Sequence, residues 1–187
     1  MSCDNSVDRS TRGRTVPAPQ RTLVVGLGNP ILGDDGVGWR VAEAVRASLP
    51  PNNGHGRHVE VDCYALGGLS LMERLVGYER AIIADAIQTS DGEPGDIYCF
   101  SLDDLPDLSA GHTTAAHDTS LQTAIRLGRA MGAILPHEIS LVGIEARKIY
   151  DFSEELSPAV AAAVPRAAQA IVRLLQTERT PAAGKLE

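Results

Sequence analysis

Four side chains stand where their surroundings do not explain them: Asp34 and Asp35 closing a glycine-rich loop, Asp85 in an apolar run, and His117 ahead of a helical pattern. The stretch VVGLGNPILGDDGVG, residues 24–38, begins like a phosphate-binding loop and ends in two negative charges. Carboxylates at a helix start repel an anion and suit a cation. Asp85 stands in AIIADAI, where an unpaired carboxylate is costly if buried. His117, in TTAAHDTSLQ, precedes a helix capped by Asp118, Thr119 or Ser120. A positive helix end disfavours imidazolium, and neutral imidazole is a metal ligand. Two carboxylates and an imidazole form an oxygen, oxygen, nitrogen set suited to a borderline divalent ion, with coordination positions to spare.

Each residue also has a plainer reading. Asp34 and Asp35 serve as an N-cap and a first-turn carboxylate, and Asp34 is expected to cap rather than to ligate. Asp85 at a strand end receives N–H bonds from the following loop, and His117 is a surface histidine with His112 as a competitor. His55, His58 and His137 fall in a turn, at a strand edge and after Pro136, with nothing to gather them.

Familiar motifs fail. The dinucleotide fingerprint needs a third glycine where Ile31 stands, and no Gly-Lys-Ser/Thr follows the loop. There is no G-x-S-x-G, no H-E-x-x-H, and no cysteine in a recognisable nucleophile setting.

The elements that must position these groups follow from periodicity. Runs at 22–27, 58–64, 81–87 and 138–144, with a weaker one at 96–101, predict strands. Helical faces recur at Val37, Val41, Ala44, Val45 and Ser48, at Leu121, Ala124, Ile125 and Gly128, and more briefly at Leu69, Met72 and Leu75. A last helix opens at Ser157 and Pro158, and Pro165 should kink or restart it. Alternation with two-sided apolar strands predicts a single three-layer α/β domain, a mostly parallel twisted sheet of about five strands with helices on both faces. Sites in such folds lie beyond the carboxyl ends of the strands, at the switch point, where Asp35, Asp85 and His117 are expected to converge.

A length of 187 residues fits one domain, expected over 21–176 between disordered tails at 1–20 and 177–187. A net charge of −7 argues against nucleic acid, and no apolar run suggests a signal or membrane span. Three scattered cysteines, Cys3, Cys63 and Cys99, fit a reducing cytoplasm.

Residues 22–176 resemble the hydrogenase maturation endopeptidases. The pattern Gly-x-Gly-Asn-x-x-x-x-Asp-(Asp/Glu)-x-x-Gly is met by Gly26, Gly28, Asn29, Asp34, Asp35 and Gly38. The IIADA strand, the HDTSLQ helix start and EISLVGIEA at 138–146 are also similar. The resemblance implies an endopeptidase that trims the C-terminal extension of a NiFe hydrogenase large-subunit precursor. In that family Asp35, Asp85 and His117 bind the nickel carried by the substrate, with another divalent ion as stand-in in isolation and no organic cofactor. Either Asp35 or Asp85 would activate water, or the two would share a proton. The family's Asp-Gly-Gly stretch after the second strand is here Cys63-Tyr64-Ala65-Leu66-Gly67-Gly68, and the His117-Asp118 pair resembles the branch serving soluble bidirectional hydrogenases. The expected protein is a monomer. The rival readings are a non-cleaving nickel-dependent chaperone and, from the shared strand and GLGNP, a peptidyl-tRNA hydrolase-like esterase.

Overall fold

The computed structural model describes residues 20–50, 57–104, 120–177 and 184–186. Strand β1 (Gln20–Leu27) leads through a 3-10 turn at Gly33–Gly36 into α1 (Val37–Ser48) and β2 (Arg57–Tyr64). Helix α2 (Gly68–Arg74) and strands β3 (Arg80–Ile87) and β4 (Ile97–Ser101) follow. The chain continues with α3 (Leu121–Ala130), β5 (Glu138–Glu145), α4 (Pro158–Gln176) and β6 (Gly184–Leu186).

The sheet has six strands in the order β2, β1, β3, β5, β4, β6. Strands β1, β2, β3 and β5 are parallel; β4 runs antiparallel to β5, and β6 to β4. The chain steps from β1 outward to β2 and returns on the other side at β3, so the switch point lies between the carboxyl ends of β1 and β3.

Strand alternation divides the core in two. Val24, Ile82, Ala84, Val142 and Ile144 share one cluster with Val37, Val41 and Val45 of α1 and Val160, Ala163 and Ile171 of α4. Leu23, Val25, Ala81, Ile83 and Ile139 share the other with Leu71, Leu75 and Ile125. Both faces are buried, as parallel strands require. By this alternation Asp85 continues the row of Ala81 and Ile83, on the α2 and α3 side.

Two expectations change. Helix α4 runs unbroken through Pro165, which is exposed, so the carbonyl deprived of its partner meets water rather than core. Helix α4 is also long and apolar enough to cross a membrane by length and composition, yet its buried stripe at Val160, Ala163, Ala167, Ile171 and Leu174 packs into the domain. The stretch 177–187, expected to be a disordered tail, contains the sixth strand, with Lys185 Nζ 2.6 Å from the Asp96 carboxylate. Thr177 is tied down as well, since the buried Arg80 guanidinium donates to its carbonyl at 2.9 Å. Residues 1–19 of the other expected tail lie outside the described residues.

Candidate active site

The glycines of the opening motif are there because backbone occupies the space a side chain would need. A β-carbon on Gly38 would overlap the carbonyl oxygen of Leu27 and lie 2.5 Å from that of Ala84; one on Gly26 would overlap Gly38. Helix α1 therefore begins in direct backbone contact with the ends of β1 and β3. Gly28, at φ +116°, turns the chain back so that the Asp35 carbonyl lies against it, a conformation that side chains rarely adopt.

Asp35 is held inside this turn. Its Oδ2 accepts from the Asn29 N–H at 2.6 Å, while Asn29 Oδ1 accepts from the Ile31 N–H at 3.2 Å. The side chain stays half-buried. Neither aspartate caps α1 as expected: the 3-10 turn intervenes, and the N-cap is Gly36.

Asp34 instead points away from its own helix and is 1% exposed. Its carboxylate accepts the Ser157 N–H at 2.6 Å, the Ser157 hydroxyl at 2.9 Å and the Lys148 N–H at 3.4 Å. Ser157 is the N-cap of α4, as expected, but its hydroxyl donates to Asp34 rather than accepting from its own helix. Backbone bonds extend the junction: Asp34 N–H to Lys148 O, Gly33 N–H to Ser153 O, and Ser153 N–H to Ile31 O. The loops following β1 and β5 are one structure.

Asp85 sits near the end of β3, half-buried, with Ala84 in register with Gly26 and Asp85 itself beside Gly143. Burial pushes its carboxyl up to about 7; the Ala86 amide opposes the rise, and the negative charge of Asp35 adds to it. The two aspartates thus share the switch point, close enough for one charge to act on the other.

His117 lies outside the described residues, as do His55 and His112. Among the described residues no three His, Cys, Asp or Glu side chains gather as a metal set. Helix α3 does begin at Ser120, whose hydroxyl accepts from the Thr123 N–H at 3.2 Å.

Sequence reasoning gave Asp34 a structural task with the wrong partner and missed a second structural carboxylate, Glu145. Glu145 ends β5 fully buried, and its oxygens accept the Thr89 N–H at 3.1 Å and the Thr89 hydroxyl at 2.9 Å, fixing the loop that follows Asp85. An acidic residue ending an apolar strand, the signal that marked Asp85, also marks Glu145.

The hydrogenase maturation protease family model matches residues 64–174. The hydrogenase expression/formation protein HupD of Rhodobacter capsulatus is 31% identical over 160 residues, spanning 84% of this chain and 72% of that protein. The fold is that of the hydrogenase maturating endopeptidase HybD from E. coli, with a TM-score of 0.66 at 24% identity over 89% of this chain and 98% of that one. The NiFe hydrogenase maturation protease HybD from Thermococcus kodakarensis is 28% identical with a TM-score of 0.58, over 83% of this chain and 99% of that one. The shared fold and the family match lead to one conclusion: this chain belongs to the hydrogenase maturation proteases.

Proposed function

We propose that the protein removes the C-terminal extension of a NiFe hydrogenase large-subunit precursor after nickel has been inserted, and that it recognises the nickel its substrate carries. The meeting of Asp35 and Asp85 at the switch point carries this reading. Two adjacent carboxylates repel each other, and a divalent cation relieves that repulsion. His117, three residues ahead of the α3 N-cap, completes the ligand set in this reading.

The ion arrives with the substrate, so docking itself brings the bond to be cut to the carboxylates. Bound nickel supplies Lewis-acid polarisation of the peptide carbonyl. Either Asp35, fixed by the Asn29 amide, or Asp85, at the strand end, takes the proton of the attacking water as general base and passes it to the departing amine as the peptide bond breaks. The protein acts as a monomer in the cytoplasm and needs neither organic cofactor nor nucleic acid.

The test mixes purified protein with nickel-loaded or nickel-free precursor and weighs the precursor before and after. Loss of a C-terminal peptide from the loaded form alone is the expected result, and Asp35→Ala should abolish it. Equal cleavage of both forms, or full cleavage by Asp35→Ala, overturns the metal-recognition reading. An unchanged mass with binding retained would mean a chaperone.

A further inference from the structure

The exposed apolar side chains near the site are not scattered. Ile31, Tyr150 and Phe152 are 47%, 81% and 88% exposed. All three project from the seam that joins the loops after β1 and β5: the Ser153 N–H donates to Ile31 O at 3.1 Å, and Leu32 and Ser153 pair as an isolated parallel bridge. Ile31 stands four residues before Asp35 on the same loop.

We propose that Ile31, Tyr150 and Phe152 form the ledge on which the substrate protein docks, and that the occupant is an apolar segment of the hydrogenase precursor beside the bond that is cut. The inference rests on the reading above, since it takes the precursor as the substrate. Three observations support this occupant. First, the ledge is continuous with the carboxylates: its seam ends in the Asp34–Ser157 junction, one residue from Asp35. A polypeptide reaching Asp35 from this side must cross it. Second, the backbone beneath the rings is already fixed, by Gly33 N–H to Ser153 O at 2.7 Å, Asp34 N–H to Lys148 O at 3.0 Å, and Arg40 Nη2 to Glu154 O at 3.4 Å. Aromatic anchors on a preformed frame lose little freedom on binding, which is how a few residues come to dominate an interface. Third, exposed Asp151, Glu154 and Glu155 fringe the rings together with the exposed cations Arg40, Arg147 and Lys148, so the rim carries no strong net charge and the apolar rings are left to select the occupant. The ledge supplies affinity for the polypeptide independent of the ion, so that neither nickel nor an apolar peptide alone would bind as the loaded precursor does.

The test measures the dissociation constant of nickel-loaded large-subunit precursor for the wild type, for the double variant Tyr150→Ser/Phe152→Ser, and for Met131→Ser/Ile134→Ser. The last pair is 78% and 76% exposed but lies after α3, away from the seam. The expected result is at least a tenfold weaker Kd for the first variant, an unchanged thermal midpoint, recovery in Phe152→Trp, and no change for the second variant. Equal Kd values for wild type and Tyr150→Ser/Phe152→Ser, equal losses in both double variants, or no binding by the wild type overturn the ledge. Precursor mass is followed in parallel. If the wild type binds without cutting, the processing reading fails, while the Kd comparison still decides the ledge.

Discussion

Asp34 and Ser157, 123 residues apart, are joined twice: one carboxylate accepts both the backbone N–H, at 2.6 Å, and the hydroxyl, at 2.9 Å, of the serine that begins α4. Removing the acceptor strands a half-buried amide and a hydroxyl. Asp34→Ala should therefore lower unfolding stability by about 2–4 kcal/mol, and Ser157→Ala by less, because the N–H bond survives. Urea denaturation of the three proteins checks this, and an unchanged midpoint for Asp34→Ala would sink it.

Gly38 admits no side chain, because a β-carbon would run into the Leu27 and Ala84 carbonyl oxygens, both rigid strand backbone. Gly38→Ala must lift α1 off the sheet at the switch point. A loss of about 3 kcal/mol is expected, at the upper end of overpacking costs. Precursor processing should fall along with the thermal midpoint; a variant with wild-type stability would show that the helix start yields easily.

Asp85 makes stability depend on pH in an unusual direction. Its folded pKa of about 7 lies above the ordinary value of 3.8, so the folded state binds more protons between those limits. Stability then falls as pH rises from the lower value to the upper and is flat beyond. Asp85→Asn removes that fall and should stabilise the metal-free protein at pH 8 by about 2 kcal/mol, a figure already discounted for partial exposure. Thermal midpoints of both proteins at pH 5 and pH 8 test the sign, and parallel behaviour would count against it.

Glu145 secures the loop after β3 through Thr89. Glu145→Ala should cost about 3 kcal/mol by leaving the Thr89 N–H and hydroxyl without their acceptor. Limited proteolysis offers a local reading, with new cleavage expected between residues 88 and 95. Cleavage elsewhere, with this loop intact, would refute the assignment.

Pro165 withholds one hydrogen bond from a helix that otherwise runs its full 19 residues. Pro165→Ala should stabilise the protein by about 1–2 kcal/mol, the helical gain being partly offset by a freer unfolded chain. A lower thermal midpoint would mean that the proline ring makes a packing contribution larger than its exposure suggests.

The strands and helices of the central domain were legible because period-2 and period-3.6 burial is written directly into residue type. Val24, Ile82 and Val142 on one face and Leu23, Val25 and Ile83 on the other show how literally the sheet follows that pattern. The placement of Asp35 and Asp85 at one switch point also follows from strand order, which βα alternation restricts. Asp34 was misjudged because a cap is a local inference, and its partner lies at the far end of the chain. Strand β6 was missed because three residues, Gly184–Leu186, carry no usable period, and their pairing depends on an edge that β4 presents only after folding. Tyr150 and Phe152 drew no notice because composition cannot show which apolar side chains remain outside.

The junction between the loops after β1 and β5 also sets a timetable. The turn that fixes Asp35 begins at Gly28, but its outer support comes from residues 148–157, which leave the ribosome more than a hundred residues later. Closing so long a loop is among the later events of folding, since distant contacts must first overcome chain entropy. A nascent chain can lay down β1, α1 and β3 and still lack the finished site. A chain that stops before residue 157 would carry the aspartates without the brace behind them.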